Sequence, residues 1–245
     1  MNHSTPRLRM FAGPNGSGKS TIKSLLKPEL LGFYINPDEL QNAIQTHGRV
    51  ALGEFGIDSL ANLRDFLETS ALVKRAGLAA AACGIQTAGC DIIFPGTYGD
   101  EAAYLASALA DFIRHELLAL GVTFTFETVM SSESKLDILN AATLNGYRTY
   151  LYFIATEDSS INISRVKNRV ALGGHDVPED KIITRYERSL KLLLPAMKLV
   201  NRAYIFDNSG KALLWIAEGT NGTELQMRSD YVPAWFKRAV LDSLD

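Results

Sequence analysis

The feature that most constrains this chain is a run near its start, residues 13–20, which fits the pattern G-x-x-x-x-G-K-[ST] at every fixed position. A strand-like apolar run precedes it at residues 8–12, and a helix-like run follows it at residues 21–26. This pattern forms a phosphate-binding loop when a strand comes before it and a helix after it. We therefore predict such a loop, with an ordinary glycine-rich strand–helix turn as the alternative.

The residue types in this run suit the phosphates of a nucleotide. Glycines allow backbone N–H groups to converge on phosphate oxygens. Lys19 is placed to reach the β- and γ-phosphates, and the hydroxyl of Ser20 is placed to bind Mg²⁺. We therefore expect ATP and Mg²⁺ as cofactors, with Lys19 catalytic and Ser20 as the metal ligand. The residues predicted to hold the nucleotide are Gly13, Pro14, Asn15, Gly16, Ser17, Gly18, Lys19, Ser20 and Thr21.

Short runs of aromatic and β-branched residues alternate with helical patterns along the rest of the chain. The predicted strands cover residues 8–12, 32–35, 122–126, 149–155 and 203–206, and the predicted helices cover residues 60–76, 101–120, 159–171, 179–201 and 233–244. Such alternation is typical of βαβ units and a mostly parallel sheet. The predicted fold is therefore an α/β P-loop NTPase, a nucleotide kinase-like three-layer sandwich with a mostly parallel central sheet.

The length of 245 residues fits one large α/β domain, and we predict a single domain over residues 1–245. A helical insertion is expected at about residues 48–100, where residues 90–98 fit either a strand or a loop. A lid-like segment is expected at about residues 160–180. Residues 212–217 and 224–228 predict a C-terminal antiparallel hairpin.

Composition and charge argue against several other classes. There are 25 Lys and Arg against 27 Asp and Glu, so a broad basic surface for duplex nucleic acid is not expected. Polar residues and glycines interrupt the most apolar region, residues 78–94, so a membrane span is not expected either. Two cysteines, Cys83 and Cys90, are too few for a disulfide scaffold and are expected to be buried thiols. Because no signal-like apolar run is visible, we expect a cytoplasmic protein.

Asp38 comes just after the predicted strand at residues 32–35. Ligands of parallel sheets bind beyond the carboxyl ends of the strands, and a carboxylate there can accept the proton of an attacking hydroxyl. A local role is compatible with this one, because Asn36 and Pro37 suit the start of a helix, where acidic residues are favourable. We predict that Asp38 is the catalytic base and contacts the substrate.

Glu127 and Thr128 follow the predicted strand at residues 122–126, at the next position along the same edge. A carboxylate there could hold substrate hydroxyls or organise the water shell of Mg²⁺. The alternative is a capping cluster in which Thr128 or Ser131 bonds to the backbone. Both interpretations stay open, and we count Glu127 and Thr128 among the predicted substrate-binding residues.

Arg165 and Arg169 stand four residues apart and therefore share one helix face. Together with the Gly-Gly-His run that follows, they fit a lid that stabilises transition-state charge on a triphosphate, although a solvated basic face is the alternative. Weaker interpretations apply to the neighbouring residues. His175 is expected to be exposed, Arg185 and Arg188 to form salt links along a helix, and residues 207–210 to form a turn.

The ordered set of these residues resembles the zeta toxin family of P-loop kinases, and the resemblance covers nearly the whole chain. It is carried by residues 12–21, 34–39, 126–128, 165–178 and 185–186, while residues 48–99 contain no matching motif. The resemblance implies transfer of the γ-phosphate of ATP to a hydroxyl of a nucleotide sugar, typically the 3′-hydroxyl of UDP-N-acetylglucosamine. It also implies a small antitoxin protein that blocks the nucleotide site. For individual residues it implies phosphate and Mg²⁺ binding by Lys19 and Ser20, a base in Asp38, a substrate contact in Glu127, and phosphate clamps in Arg165 and Arg169.

Two other functional classes share the phosphate loop. One is a regulatory P-loop NTPase that controls a protein partner, and the other is a polynucleotide kinase. The first is disfavoured because no residue is obviously placed to orient a hydrolytic water. The second would need a basic groove, which the near-balanced composition does not indicate.

Overall fold

The computed structural model describes residues 5–174 and 176–244, and the chain separates into two compact units. The first unit is formed by the residues up to 32 and from 123 onward, and the second by residues 33–122.

Strands occur throughout the described residues. In chain order they are β1 (Arg7–Ala12), β2 (Phe33–Ile35), β3 (Arg49–Ala51), β4 (Gln86–Ala88), β5 (Asp91–Ile93), β6 (Phe124–Thr128), β7 (Arg148–Ala155), β8 (Arg202–Asp207), β9 (Leu214–Thr220) and β10 (Glu224–Met227).

Helices alternate with these strands. They are α1 (Lys19–Lys23), α2 (Pro37–His47), α3 (Leu63–Thr69), α4 (Ala71–Arg75), α5 (Ala79–Cys83), α6 (Glu101–Leu120), α7 (Ser134–Leu144), α8 (Ser159–Ala171), α9 (Glu179–Lys191), α10 (Leu193–Leu199) and α11 (Ala234–Ala239). Short 3₁₀ turns cover Pro28–Leu30, Leu52–Phe55 and Leu241–Ser243.

The first unit is built on a sheet in which β10, β9, β8, β7, β1 and β6 lie side by side in that order. β6, β1, β7 and β8 run parallel, and β9 and β10 continue the sheet as an antiparallel hairpin. The helices α1, α7 and α10 pack against β7, the strand in the middle of this parallel group. The predicted α/β fold class, with its mostly parallel sheet and C-terminal hairpin, is confirmed.

Two of the predicted helices are each interrupted, for identifiable reasons. Residues 179–201 form α9 and α10, because Pro195 has no N–H to donate to the carbonyl four residues back. Residues 60–76 contain α3 and α4, which are separated at Ser70. The Ser70 side chain accepts a hydrogen bond of 3.4 Å from the Val73 N–H and so begins a new helix instead of extending the old one.

The second unit contains residues 48–100, where the sequence predicted a helical insertion. Residues 48–100 hold three short helices, α3 to α5, and a small antiparallel sheet in the order β3-β5-β4. The run at residues 90–98, which fitted either a strand or a loop, contains β5. The long helix α6 is apolar on much of its surface, and its Phe112 packs edge-on against Phe66 of α3.

Two sequence expectations about surface and membrane can be compared with this structure. The expectation that the cysteines are buried is wrong, because Cys83 is exposed at the end of the short helix α5 and Cys90 is half-buried. Within residues 5–174 and 176–244, no helix has both the length and the apolar character that crossing a bilayer requires.

Candidate functional site

The predicted phosphate loop connects β1 to α1 in the first unit. Its first glycine follows directly on the last residue of β1, and the Gly13 N–H donates a 3.3 Å hydrogen bond to the Thr128 carbonyl at the end of β6. A turn inside the loop is closed by the Ser17 N–H, which donates to the Pro14 carbonyl at 3.2 Å. The loop therefore lies at the carboxyl edge of the parallel strands, where α/β sheets bind their ligands.

The glycines are required by the path of the backbone. Gly13, Gly16 and Gly18 have φ angles of 148°, 74° and 96°, which side chains rarely tolerate. A Cβ on Gly13 would lie 2.0 Å from the Ile154 carbonyl oxygen, and one on Gly16 would lie 2.6 Å from the Asn162 backbone oxygen. The loop is thus packed directly against neighbouring backbone, and a side chain at either position would displace it.

The side chain of Lys19 folds back over the backbone of the loop. Lys19 Nζ donates hydrogen bonds to the carbonyls of Gly13, at 2.9 Å, and Pro14, at 3.1 Å. Ser20 and Thr21 follow Lys19 in the first turn of α1 and are exposed. A glycine cradle with a lysine folded over it fits a nucleotide phosphate, and an exposed hydroxyl beside it is a hard oxygen ligand of the kind that Mg²⁺ prefers.

Glu127 and Thr128 end the strand that neighbours β1. In the parallel register Glu127 is opposite Phe11, and Thr128 is opposite Ala12, the last residue before the loop. Glu127 is buried. The Thr128 hydroxyl accepts a 3.0 Å hydrogen bond from the Met130 N–H, which closes a local turn before α7 begins at Ser134 and does not cap that helix. The structure therefore brings both residues to the edge at which the loop begins.

The two predicted clamp residues lie on α8, on the helix face that meets the loop. Asn162 of this helix contacts the loop backbone, and Arg165 and Arg169 follow it by three and seven residues, which keeps them on the same face. Both arginines are half-buried, and Nη1 of Arg165 is buried with no hydrogen-bond partner among the described residues. Arg169 packs under Gly174, whose N–H donates to the Arg169 carbonyl at 2.9 Å.

Asp38 belongs to the second unit, in the first turn of α2. Its side chain is exposed, and its N–H donates a 3.0 Å hydrogen bond to Asn36 Oδ1. Asn36 therefore caps the helix and Pro37 occupies its first position, as the local interpretation predicted. Asn36 is the cap of this helix, and the Asp38 carboxylate is exposed. The catalytic role of Asp38 stays a prediction.

Three residues that the sequence did not single out contact the loop or its supports. The Asn162 side chain is fully buried and donates through Nδ2 to the Asn15 carbonyl at 2.5 Å. Its Oδ1 forms a short hydrogen bond with the hydroxyl of Thr156, which directly follows β7. Asn208, which directly follows β8, donates through Nδ2 to the Ser17 carbonyl at 2.8 Å. Thr156 and Asn208 directly follow β7 and β8, and Asn162 lies on the arginine helix, but nothing in their residue types marked them as contacts of the loop.

The prediction for Arg185 needs correction. It was expected to form salt links along its own helix, yet its Nη1 donates to Oδ1 of Asn15 in the loop at 3.5 Å. The next residue, Tyr186, is buried and donates its hydroxyl to the Thr156 carbonyl at 2.7 Å. Burial raises the pKa of this hydroxyl above its ordinary value. Helix α9 is therefore tied to the loop and to the end of β7.

Two further predictions concern neighbouring residues. Residues 207–210 form the predicted turn, because Asp207 accepts hydrogen bonds from both the N–H and the hydroxyl of Ser209. The buried Asp207 carboxylate also accepts a 2.7 Å hydrogen bond from Trp235 Nε1, which anchors α11 to the sheet. His175 lies outside the described residues.

Comparison with known proteins agrees with this geometry at the level of the fold. No protein-family model matches the chain. The solved complex of AvrRxo1-ORF1 and AvrRxo1-ORF2 with sulphate ions matches 94% of this chain and 62% of that chain, with 14% identity and a TM-score of 0.57. The two proteins share a fold. The same complex with ATP matches 93% of this chain, with a TM-score of 0.56. The α/β fold of this chain is therefore one that a solved protein shares.

Two further similarities are more limited. An uncharacterized protein from Haemophilus influenzae is 32% identical over 72 residues, which is 29% of this chain and 51% of that protein. One chain in the solved structure of the PezAT toxin–antitoxin system of Streptococcus pneumoniae is 16% identical to this chain, with a TM-score of 0.48. The match covers 85% of this chain and 70% of the PezAT chain. The chain thus spans about half the length of the curated relative that it matches, and under two thirds of the AvrRxo1 chain.

Proposed function

We propose that this protein is an ATP- and Mg²⁺-dependent phosphotransferase whose acceptor is a hydroxyl group of a small polar metabolite. The observation that carries the proposal is the complete glycine loop, with Lys19 folded over it and the arginine-bearing helix α8 held against it. The AvrRxo1 complex solved with ATP, which has the same fold, supports ATP as the nucleotide. A nucleotide sugar such as UDP-N-acetylglucosamine is the first acceptor to test, in line with the zeta toxin resemblance.

The first unit supplies the groups that bind the phosphates. ATP, when bound, supplies the γ-phosphoryl group that is transferred. The Lys19 ammonium leaves the loop carbonyls for the phosphate oxygens, and Ser20 offers its hydroxyl to Mg²⁺. Arg165 and Arg169 stabilise the negative charge that develops during transfer, and the buried Nη1 of Arg165 supports this role because a charged nitrogen there lacks a protein partner in the described structure.

Two carboxylates and one hydroxyl group are proposed to bind and activate the acceptor. We assign to Asp38 the removal of the proton from the acceptor hydroxyl, which makes its oxygen a better nucleophile. Glu127 and Thr128 bind the acceptor, and their place beside the start of the loop supports this assignment. The exposed Asp38 side chain is compatible with contact to a substrate.

A small protein partner is part of the same proposal. AvrRxo1-ORF1 was crystallised together with a second protein, AvrRxo1-ORF2. We propose that a small antitoxin-like protein binds this chain in the cytoplasm and blocks its nucleotide site. Co-expression with the product of a neighbouring reading frame, followed by gel filtration with and without ATP, tests this part separately.

The decisive experiment is incubation with labelled ATP, Mg²⁺ and a panel of nucleotide sugars, with the products identified by mass spectrometry. We expect one compound to gain a phosphoryl group. Asp38→Asn should lower the rate of transfer about a hundred-fold or more while ATP binding is kept. Lys19→Ala should abolish both. Asp65→Asn is the matched control, since Asp65 is also an exposed acidic residue in the first turn of a helix of the second unit, and it should change neither.

Other outcomes would identify the alternative functions. ATP hydrolysis that needs no acceptor and is insensitive to Asp38→Asn would contradict the proposal and indicate a regulatory NTPase. Transfer to the end of an oligonucleotide, with no small-molecule acceptor, would indicate a polynucleotide kinase.

A further inference from the structure

Two carbonyl groups of the phosphate loop are held by asparagine side chains that come from different elements. Asn162 of α8 donates to the Asn15 carbonyl at 2.5 Å, and Asn208, just after β8, donates to the Ser17 carbonyl at 2.8 Å. A carbonyl oxygen can only accept a hydrogen bond, so each side-chain amide must present its nitrogen to the loop. The orientation of both amides is therefore fixed by the chemistry of their partners.

Holding these carbonyls also sets the direction of two backbone N–H groups. In a trans peptide the C=O and the following N–H point in opposite directions, and no cis peptide occurs in the described part of the chain. The Asn15 carbonyl shares its peptide with the N–H of Gly16, and the Ser17 carbonyl shares its peptide with the N–H of Gly18. When the asparagines hold the carbonyls on one side, these two N–H groups face the other side.

Both asparagines are themselves fixed in place. Asn162 is fully buried, and its Oδ1 is hydrogen-bonded to the Thr156 hydroxyl. Asn208 is half-buried, and its own N–H donates to the Ala155 carbonyl at 2.8 Å. The two anchors are thus attached to the ends of β7 and β8, which are rigid parts of the sheet.

We propose that Asn162 and Asn208 are positioning residues that keep the N–H groups of Gly16 and Gly18 directed at the phosphates of the bound nucleotide. This inference rests on the nucleotide binding proposed above. Neither asparagine needs to touch the nucleotide, since each acts through the loop carbonyl that it holds. Asn162 also links the loop to the helix face that carries Arg165, through its hydrogen bond to the Asn15 carbonyl.

The sharpest test uses an isosteric change that replaces the donating NH₂ group with a charged acceptor oxygen. Asn162→Asp and Asn208→Asp keep the shape of the side chain, but a carboxylate cannot donate to a carbonyl and repels it. We expect each change to weaken ATP binding about ten-fold, the cost of one lost hydrogen bond. Calorimetric titration with ATP and with adenosine separates the two roles. Adenosine has no phosphate, so its affinity should change much less than that of ATP.

Asn201 offers a matched control at the opposite end of the sheet. Its Oδ1 accepts a 2.8 Å hydrogen bond from the Thr149 N–H. A carboxylate oxygen can accept the same hydrogen bond, so Asn201→Asp keeps it. We expect this variant to bind ATP as the wild type does. Asn201→Ala should lower the melting temperature and leave the preference for ATP over adenosine unchanged, which shows how a purely structural asparagine behaves.

Each result has a distinct meaning. A wild-type protein that does not bind ATP contradicts the proposed function. A wild-type protein that binds ATP, with Asn162→Asp and Asn208→Asp variants that bind it equally well, contradicts this inference alone, as does an equal loss of ATP and adenosine affinity. If Asn162→Asp does not fold, the half-buried Asn208 decides, through Asn208→Asp and the smaller Asn208→Ala.

Discussion

The two ends of the parallel strands in the first unit use the same residue type in opposite ways. At the carboxyl end, Asn162 and Asn208 donate hydrogen bonds to loop carbonyls. At the amino end, Asn201 accepts a hydrogen bond from the Thr149 N–H and donates its own N–H to the Thr149 hydroxyl, at 3.1 Å. At the carboxyl end, the hydrogen bonds are made to loop carbonyls, so on the inference above the N–H groups of Gly16 and Gly18 face away from the asparagines. At the amino end, the N–H groups of Asn201 and Thr149 are both hydrogen-bonded within the protein.

We infer that this difference separates a ligand-binding end of the strands from a closed end. Backbone N–H groups that face outward can receive an anion, while groups that satisfy one another only stabilise the fold. The turn between β9 and β10 reinforces the closed end, because the Asn221 N–H donates to the Asn201 carbonyl at 2.9 Å. We therefore expect damage at the carboxyl end to affect ligand binding and stability together, and damage at the amino end to affect stability alone.

The largest effect should come from filling a glycine position at each end. Gly13→Ala places a Cβ 2.0 Å from the Ile154 carbonyl oxygen, and Gly222→Ala, in the β9–β10 turn, places one 2.3 Å from the Lys198 carbonyl oxygen. Both glycines have positive φ angles, of 148° and 70°. We expect each change to lower the free energy of unfolding by on the order of 3 kcal/mol, measured by urea titration. ATP binding should be lost only in Gly13→Ala.

Gly99→Ala provides a neutral reference for this pair, because nothing lies within 4 Å of its Cβ position. If Gly222→Ala removed ATP binding as completely as Gly13→Ala does at a temperature where both are folded, the distinction between the two ends would be wrong.

A smaller effect is expected from Tyr186→Phe. Burial raises the pKa of the Tyr186 hydroxyl above 10.0, so the folded state favours its neutral form. The stabilisation is complete below pH 10 and is lost as the pH rises through the folded-state pKa. The variant loses the bond to the Thr156 carbonyl, so it should be less stable by about 1 kcal/mol at neutral pH and should lose stability less steeply above pH 10.

The measurement is urea unfolding at a series of pH values between 7 and 11, with Tyr98→Phe as the control. The Tyr98 hydroxyl bonds to the Pro95 carbonyl at the surface, so its loss should have little effect. An unchanged alkaline slope in Tyr186→Phe would show that the carboxyl end is not held by this hydroxyl.

The smallest effect concerns the start of α8, the helix that carries Asn162. The Ser160 N–H donates to Asp158 Oδ1 at 2.7 Å and keeps the pKa of this carboxyl below its ordinary value of 3.8. Its stabilisation is therefore present above pH 3.8 and is lost as the pH falls through the lower, folded-state pKa. Asp158→Ala should lower stability by about 0.5 kcal/mol at pH 7, because the cap is exposed, and Asp158→Asn, which keeps the cap, should lower it less.

Thermal unfolding at pH 7 and at acidic pH tests this prediction. The variants should converge with the wild type as the pH falls, because the wild type loses the same contribution. A gap between Asp158→Ala and the wild type that is as large at acidic pH as at pH 7 would contradict the assignment of the cap to the charged carboxylate.

Much of the architecture could be predicted because it depends on local pattern. The strand before the loop, the helix cap at Asn36 and the C-terminal hairpin were all visible as short-range signals. The predicted helices at residues 60–76 and 179–201 are helical, but each is divided into two shorter helices. Pro195 and Ser70 interrupt them through backbone hydrogen bonding, which apolar spacing does not register. The exposure of Cys83 depends on its surroundings and could not be predicted from the residue type.

The candidate site divides in the same way. The glycine loop, Lys19 and the arginine pair could be predicted as site residues because they follow from fixed spacing. The partners of the loop are 147 and 191 residues away along the chain, at Asn162 and Asn208. Asparagine is common in turns and helix caps, so no pattern distinguishes these two from the others. Arg185 was assigned to its own helix for the same reason, because its contact with Asn15 is long-range.

By itself the sequence determined that a glycine-rich loop ending in Lys19 and Ser20 stands between a strand and a helix, since each of those features is encoded within about ten neighbouring residues. The tertiary structure alone decided which side chains hold that loop open. A hydrogen bond to a backbone carbonyl requires only a donor at the right point in space, and any polar residue that the fold brings there can provide it. Asn162 and Asn208 bind the loop carbonyls because the fold places the end of β8 and the helix α8 beside the loop.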